Sequence, residues 1–285
     1  MRTVRPSLRA IPNRGGESTR STTRTNAPNM PASSKGKTLI TFDVDGTLIR
    51  ASGKDANKFH KDAFMHGFRE VYGVETHPVG IDVIQHHGST DQLISAAVMR
   101  HHGVEESVIV DRMREHCDAM STYAVERKET AADGLELLQG VVSLLQKLAA
   151  RDDVVVCLVT GNLEPIGWAK MERLGVAQYF TPPRFGGFGS DHTDRGELVA
   201  LAAARAKSHG IDIDPQRRFH FGDTPADISA AESAGAVAVG LLTGIFSREQ
   251  LIDASTVNDN LIVFDDLSDT DRVMRAVDLL SLIHI

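Results

Sequence analysis

The sequence predicts an α/β protein, in which an all-helical insertion interrupts a doubly wound parallel sheet. After one short apolar strand, residues 50–132 show helical periodicity and no convincing strand. Beyond residue 140, strand and helix patterns alternate, which implies right-handed crossovers between parallel strands. The run at 153–160 is apolar on both faces, as expected when helices cover both sides of a sheet. We therefore expect a core of residues 38–49 and 133–285, with the helical domain inserted between them.

The predicted elements follow the chain in a simple order. An apolar strand at 38–44 comes first, and apolar residues at helical spacing then predict helices at 56–72, about 90–102 and about 104–126. After residue 140 the predicted elements are a helix at 141–150, a strand at 153–160, helices at 163–174 and 195–208, a strand at 217–221, a helix at 225–234, a strand at 236–242, a helix at 247–254, a strand at 261–264 and a helix from about 268.

Charge is distributed unevenly along the chain. Residues 1–37 hold eight of the 31 Lys and Arg residues but one of the 38 acidic residues, so their net charge is +7 and that of the remainder is −14. An acidic body argues against a nucleic-acid partner. Because no apolar run approaches the roughly 18 residues of a membrane span, no membrane partner is expected either.

The N-terminal segment, residues 1–37, is rich in Arg, Ser and Thr and lacks a long apolar run. This composition fits an organellar transit peptide, and it fits equally well a disordered tail that carries no targeting signal. Two cysteines, Cys117 and Cys157, cannot form a disulfide framework. We therefore predict a cytoplasmic or organellar protein in a reducing compartment, with residues 1–37 outside the fold.

Polar residues follow three of the predicted strands. Strand alternation places Asp43 and Asp45 on the same face at the end of the first strand. The sequence Thr-Gly-Asn at 160–162 begins with the last residue of another strand, and Asp223 and Asp227 follow a third. Because ligands bind beyond the carboxyl ends of parallel strands, we expect the three loops to meet at one site.

Each loop has a simpler explanation when it is taken alone. The first acidic pair fits a solvated turn, Asp227 fits a carboxylate at a helix N-terminus, and Thr160 and Asn162 fit turn or helix-capping residues. Together, the acids offer hard oxygen ligands without Cys or His at ligand spacing, which favours Mg²⁺ over Zn²⁺. Thr160 and the backbone N–H groups of Gly161 and Asn162 would then hold a phosphoryl oxygen.

The three motifs, taken in order, resemble those of the haloacid dehalogenase (HAD)-like hydrolases. They are D-V-D-G-T at 43–47, Thr at the end of a strand at 160, and G-D-T-P-A-D at 222–227. The resemblance covers about residues 38–245 and implies a Rossmann-like core. The dehalogenases of this superfamily lack the second acid of the first motif, so its presence here indicates phosphoryl transfer.

The resemblance implies a role for each motif residue. Asp43 would be the nucleophile that forms an aspartyl-phosphate, and Asp45 would be the general acid and base. Thr160 would bind the transferring phosphoryl group. Asp223 and Asp227 would complete a Mg²⁺ site with Asp43 and the backbone carbonyl of Asp45. A carboxylate that attacks a phosphate dianion meets like-charge repulsion, which Mg²⁺ and a nearby cationic side chain must offset.

One position departs from the family pattern. The third motif is usually a Lys in the loop that enters the helix before the last motif, whereas this chain has Arg195 at the helix start. Arg binds phosphate bidentately, but it is not interchangeable with Lys. Either Arg195 supplies the catalytic positive charge, or it forms a surface ion pair with a neighbouring acid. The neighbouring acids are Asp191, Asp194 and Glu197.

The helical insertion resembles the cap of the phosphoglycolate phosphatase and β-phosphoglucomutase-like branch of the superfamily. In that branch the cap closes over the site, excludes water and selects the leaving group. The segment that begins at Gly88 resembles the branch's cap loop, so Ser89 and Thr90 either face the substrate or cap a helix. The two histidine pairs of the insertion are predicted to be solvated, because adjacent residues do not share a helix face.

These inferences predict a Mg²⁺-dependent phosphatase that acts on a small phosphorylated metabolite. An alternative is a phosphosugar mutase, which uses the same motifs but returns the phosphoryl group to another hydroxyl. A third reading is a non-catalytic binding protein that keeps the fold, although all four motif acids are present. The sequence identifies neither the phosphomonoester nor the oligomeric state.

Overall fold

A computed structural model describes residues 36–257 and 261–283, with a parallel sheet at the centre. The strands are β1 (Lys37–Phe42), β2 (Ile49–Ala51), β3 (Leu135–Leu137), β4 (Val154–Thr160), β5 (Gly186–Phe188), β6 (Ile213–Gly222), β7 (Val237–Leu241) and β8 (Leu261–Phe264). The central sheet has the strand order β5-β4-β1-β6-β7-β8, and its neighbouring strands are parallel. The chain builds the sheet first on one side of β1 and then on the other, so the strand order reverses at β1.

Helices cover both faces of this sheet. The helices are α1 (Lys58–Gly67), α2 (Asp91–His101), α3 (Glu106–Glu126), α4 (Val141–Ala149), α5 (Glu164–Arg173), α6 (Arg195–Ser208), α7 (Pro225–Ser233), α8 (Arg248–Asp253) and α9 (Thr270–Ile283). Successive strand residues belong to opposite apolar clusters. Val156 packs in the cluster with Leu145 of α4, whereas Cys157 packs in the cluster with Leu198 of α6 and Ile228 of α7. The predicted doubly wound α/β class is confirmed.

A helical insertion lies between β1 and β4. α1 continues into a π-helical turn at Phe68–Tyr72, and α2 and α3 follow. At the base of the insertion, β2 and β3 form an antiparallel pair, with Ile49 opposite Leu137. The predicted helices of this region are therefore present, and a short two-stranded ribbon joins them to the sheet.

The apolar cluster of the insertion extends into the core. Phe64, Phe68 and Met120 are fully buried and form part of this cluster. Leu163 and Ile166, from the start of α5, belong to the same cluster. The insertion therefore packs directly on α5, the helix that follows the second of the three polar loops.

Three strands of the structure were not predicted from the sequence. β2, β3 and β5 are only three residues long, which is too short for apolar alternation to show. β6 begins at Ile213 and not at the predicted residue 217. The prediction was too late because Pro215 and its polar neighbours hide the strand pattern. The register of β6 against β1 shifts in the same stretch, between Lys37 and Leu39 of β1.

Residues 1–35 of the predicted targeting or disordered segment lie outside the residues that the structure describes. Among the helices of the described ranges, none is both long and apolar enough to cross a membrane. Cys157 is fully buried in β4 and unpaired. Burial raises the pKa of its thiol, which keeps the side chain in the unreactive protonated form.

Candidate active site

The three predicted loops meet at the carboxyl edge of the sheet. Because β4, β1 and β6 are neighbours, Thr160, Asp43 and Asp223 follow one another across this edge. All three line a cavity of about 410 Å³. The cavity wall also contains the predicted site residues Asp45, Ser89, Gly161, Asn162 and Arg195. Two further predicted residues, Asp227 and Thr90, are buried behind this wall.

Three carboxylates form the electrostatic centre of the site. Oxygens of Asp43, Asp223 and Asp227 lie within 4.8 Å of one another, and all three residues are buried. Thr47 Oγ1 donates a hydrogen bond of 3.1 Å to Asp223. Gly46 has a φ of +91°, and a Cβ at this position would lie 2.3 Å from an Asp223 oxygen. The first motif therefore needs Gly both for its turn and for the close approach of Asp223.

Burial of this cluster shifts the protonation of two acids. Burial, together with the charges of Asp227 and Asp43, raises the pKa of Asp223 to about 8. Burial also raises the pKa of Asp43 to about 6, although Arg195 opposes the shift and Asp227 adds to it. Hard carboxylate oxygens that carry more negative than positive charge fit a divalent cation such as Mg²⁺. All three carboxylates lie close enough together to hold it, and Asp43 and Asp223 also line the cavity.

Asp227 is fully engaged by protein groups. Its Oδ2 accepts hydrogen bonds from Thr224 Oγ1 at 2.7 Å and from the Thr224 backbone N–H at 3.1 Å, which forms a capping box at the start of α7. Its Oδ1 contacts Arg195 Nη2 and lies 3.4 Å from His220 Nε2. Burial alone would raise the pKa of Asp227, but Arg195 and His220 hold it well below the usual carboxyl range. Asp227 thus anchors Arg195 within the cluster.

Arg195 faces the acids of the site rather than those of the surface. Its Nη2 lies 3.1 Å from Asp43 Oδ1 and contacts Asp227. Two of the three nearby surface acids have other partners: Asp194 caps α6, and Asp191 pairs with Arg205 at 2.7 Å. The surface ion pair that the sequence left open is therefore not what the structure shows. Its role as the cation of the third motif remains a prediction, which these two contacts support.

Asp45 points away from the acid cluster. Its carboxylate accepts hydrogen bonds from Lys170 Nζ at 2.7 and 2.9 Å and from Asn162 Nδ2 at 3.0 Å. Burial would raise the pKa of Asp45, but the charge of Lys170 and the hydrogen bonds from Lys170 and Asn162 lower it overall. Since this carboxylate lies outside the cluster, only the backbone carbonyl of Asp45 remains for the predicted role in metal binding.

Lys170 is a site residue that was not predicted from the sequence. Its side chain is fully buried on α5, and its Nζ contacts Asp45, Asn162 Oδ1 at 2.9 Å and His60 Nδ1 at 3.2 Å. A signal was present in the sequence. Lys170 lies four residues after Ile166, on the apolar stripe of the helix, where a lysine is unexpected unless its charge is paired.

The second loop supplies both a hydroxyl and an amide to the site. Thr160 is buried, and its Oγ1 accepts a hydrogen bond of 3.4 Å from the Asn162 backbone N–H. The amide of Asn162 links Asp45 to Lys170. The N-cap residue of α5 is Leu163, so neither Thr160 nor Asn162 has the helix-capping position considered from the sequence.

The predicted cap loop lies directly over the second loop. The Asp91 backbone N–H donates to Gly161 O at 2.8 Å, and Asp91 Oδ2 accepts from the Leu163 backbone N–H at 2.8 Å. Ser89 lines the cavity, whereas the buried Thr90 hydroxyl has no hydrogen-bond partner among the described residues. Thr90 is the N-cap residue of α2, but its side chain forms no capping hydrogen bond. Substrate contact by either residue remains a prediction.

A parallel α/β sheet with paired acids after its first strand and a helical insertion beyond them defines a HAD-fold hydrolase. The family model described as haloacid dehalogenase-like hydrolase matches residues 37–235, and the chain belongs to this family. The family predicted from the motifs is therefore confirmed.

Relatives of known name agree with this assignment. The phosphoglycolate phosphatase of Escherichia coli (strain K12) is 31% identical over 127 residues, which are 45% of this chain and 48% of that protein. The chain thus spans about half the length of the curated relatives it matches. Two solved structures share the fold. They are a predicted phosphatase from Clostridium acetobutylicum (TM-score 0.57, 16% identity, 86% of this chain and 99% of that one) and a β-phosphoglucomutase from Clostridium difficile (TM-score 0.53, 16% identity, 86% and 99%).

Proposed function

We propose that this protein is a phosphatase that hydrolyses a small phosphomonoester through an aspartyl-phosphate on Asp43, with Mg²⁺ as its cation. The observation that carries this proposal is the contrast between two acids of one motif. Asp43 lies in the acid cluster beside Arg195, whereas Asp45 lies in a separate set of hydrogen bonds to Lys170 and Asn162. Two carboxylates in different surroundings suit two different chemical roles.

Phosphate binding is supported by the groups around Asp43. Thr160, Gly161 and Asn162 line the cavity next to it. Among the described residues, the buried Nε of Arg195 has no hydrogen-bond partner. A buried N–H without a partner is costly, and a phosphoryl oxygen would satisfy it.

The proposed reaction has two steps. An Asp43 carboxylate oxygen attacks phosphorus and the bond to the leaving oxygen breaks, while Asp45 gives that oxygen a proton. The proton that Asp45 gives up is replaced in the second step, so Asp45 ends each turnover protonated, as it began. Asp45 then takes a proton from a water molecule, which attacks the aspartyl-phosphate and releases inorganic phosphate and free Asp43. The lowered pKa of Asp45 suits the second step.

A divalent cation has a defined place in this proposal. Asp43 and Asp223 would hold it, together with the backbone carbonyl of Asp45, and Asp227 would keep Arg195 beside it. When bound, such a cation neutralises charge on the phosphoryl oxygens and on the attacking carboxylate. Arg195, which is held in place by its contact with Asp227, supplies the remaining positive charge.

We propose that the helical insertion is the cap of this site. Cap residues Lys61, His86, His87 and Ser89 line the same cavity as the catalytic loops. A volume of about 410 Å³ suits a small metabolite. The cap side would therefore select the leaving group of the substrate.

The proposal is tested by phosphate release from p-nitrophenyl phosphate, phosphoglycolate, glycerol 2-phosphate and glucose 1-phosphate, with Mg²⁺ or with EDTA. We expect release that requires Mg²⁺ and is lost in Asp43→Asn. Asp118→Asn changes an exposed acid of α3 and is the matched control, with unchanged release expected. An isomeric sugar phosphate in place of free phosphate would favour the mutase. A folded, Mg²⁺-loaded protein without turnover on any compound would overturn the phosphatase assignment.

A further inference from the structure

A continuous set of hydrogen bonds runs from the helical insertion to Asp45. His60 of α1 lies 3.2 Å from Lys170 Nζ through Nδ1 and 3.0 Å from Asp91 Oδ2 through Nε2. Lys170 Nζ then contacts both carboxylate oxygens of Asp45, at 2.7 and 2.9 Å. Two residues of the insertion and one helix of the core therefore meet at the second acid of the first motif.

The direction of these hydrogen bonds follows from the chemistry of the groups. A lysine ammonium only donates, so His60 Nδ1 must accept from Lys170. The His60 Nε2–H then donates to Asp91 Oδ2. Asp91 is itself fixed to the core, because its Oδ2 also accepts from the Leu163 backbone N–H at 2.8 Å. The His60 lone pair is therefore aimed at Lys170 while α2 rests on the core.

Burial makes this arrangement specific to Asp45. The Lys170 side chain is fully buried, whereas 35% of the Asp45 side chain is exposed towards the cavity. A buried ion pair contributes little stability compared with a well-packed apolar side chain. Ile166 shows that this stripe of α5 accepts apolar residues. The ammonium is therefore better explained by what it does to Asp45 than by packing.

We propose that Lys170 is a positioning residue, which holds the Asp45 carboxylate at the cavity wall and is itself held by His60 and Asp91 of the insertion. Asp45 is then correctly placed only while the insertion rests on the core. This inference rests on the proposed phosphatase function, in which Asp45 is the group that transfers protons.

The first test compares leaving groups in Lys170→Met, which keeps the length of the side chain and removes its charge. The two substrates are p-nitrophenyl phosphate, whose phenolate leaves without a proton, and the alkyl phosphate of the panel above that the unmodified protein hydrolyses fastest. We expect kcat/KM to fall by about 10- to 100-fold for the alkyl phosphate and by less than about 3-fold for the aryl one. Equal losses on both substrates, or no loss, would overturn the proposal.

The second test asks whether the insertion acts through Lys170. His60→Leu removes the acceptor for Lys170, and we expect the same preference for the aryl substrate. In the double variant the loss should match that of Lys170→Met alone, because residues that act as one unit are not additive. Independent, multiplying losses would contradict the link from His60 to Asp45. His60→Leu also decides the question if Lys170→Met does not fold.

Two controls separate this proposal from the proposed function. Lys147→Met removes an exposed lysine of α4 that pairs with Asp271, and it should leave kcat/KM unchanged on both substrates. Far-UV circular dichroism checks the fold of every variant. If the unmodified protein releases no phosphate, the phosphatase function itself fails; if it does and Lys170→Met keeps its leaving-group pattern, only the positioning role fails.

Discussion

Arg195 Nη2 lies 3.1 Å from Oδ1 of Asp43, the acid that we propose as the nucleophile. The same nitrogen contacts Asp227, so one guanidinium serves two of the three clustered carboxylates. We expect Arg195→Lys to lower kcat/KM by about 10- to 100-fold, because a single ammonium on a shorter side chain cannot replace the planar donor. Arg195→Met should cost about 1,000-fold or more.

Phosphate-release kinetics measure both Arg195 variants. Arg205→Lys is the matched control, since Arg205 pairs with Asp191 and Gly186 O outside the acid cluster. Its kcat/KM should stay within about 2-fold of the unmodified protein, as expected of a partly exposed ion pair. Activity of Arg195→Met equal to that of Arg205→Lys would show that Arg195 is not part of the catalytic machinery.

The raised pKa values of Asp43, about 6, and Asp223, about 8, predict how stability depends on pH when no metal is bound. Both values lie above the ordinary 3.8, so the folded chain binds protons more tightly than the unfolded one. Protonation of these two acids therefore contributes to the free energy of unfolding. This contribution is complete below about pH 4 and is lost as the pH rises towards about 8. With EDTA, we expect Tm to fall by several degrees over this range.

Added Mg²⁺ should raise Tm, and more at about pH 8 than at about pH 5, because protons and the cation compete for the same carboxylates. Differential scanning fluorimetry measures both trends. Asp223→Asn removes the higher pKa and should flatten the EDTA curve. A Tm that responds to Mg²⁺ equally in Asp223→Asn would place the cation elsewhere.

Gly161 lies at one of the closest contacts between the insertion and the core. A Cβ there would lie 2.4 Å from the backbone oxygen of Ser89. We expect Gly161→Ala to push the cap loop away and lower kcat/KM by about 10-fold or more, since small displacements of catalytic groups are costly. The secondary structure should remain unchanged by circular dichroism.

Gly167→Ala is the control for this substitution. A Cβ at Gly167 would meet its neighbours at 3.6 Å or more, and Ala is favoured over Gly in a helix such as α5. We expect normal activity and unchanged or slightly raised stability. If Gly161→Ala were as active as Gly167→Ala, close contact between Ser89 and Gly161 would not matter for function.

Stability should respond unequally to the loss of each partner in the Asp45–Lys170 pair. Asp45→Ala leaves the fully buried Lys170 without its counter-charge, which we expect to lower the free energy of unfolding by about 3 kcal/mol. Lys170→Met leaves Asp45 partly hydrated and should cost about 1 kcal/mol or less. Urea unfolding measures both values. A larger loss of stability in Lys170→Met than in Asp45→Ala would contradict this expectation. It would mean that the Asp45 carboxylate needs its counter-charge more than the Lys170 ammonium does.

The parts of the site that the sequence revealed are those fixed by local pattern. Asp43, Thr160 and Asp223 each lie at the carboxyl end of a predicted strand, and parallel strands bring these ends together without further information. Arg195 was also found by its place at a helix start. Its partners were not decided, because Asp194 and Asp191 are nearer in sequence than Asp43 and Asp227.

The parts that the sequence did not reveal depend on contacts between distant segments. Lys170, His60 and Asp91 come from α5, α1 and α2, and nothing local links them. The carboxylate of Asp45 was also not placed by the sequence, because it contacts Lys170 of a distant helix and not the acid cluster. The short strands β2, β3 and β5 were missed because pairing with neighbours, rather than their own composition, makes them strands.

The apolar cluster that α1 and α3 share with Leu163 and Ile166 limits how freely evolution or engineering can exchange this insertion for another. Excising residues 52–134 would uncover the start of α5, and the separated helices would lose part of the surface that encloses their own aromatic residues. A transplanted insertion from a relative would need to match the exposed face of α5 as well as the two chain connections at its base. Changes of substrate preference in this chain are therefore more accessible through single side chains of the cavity wall than through replacement of the whole insertion.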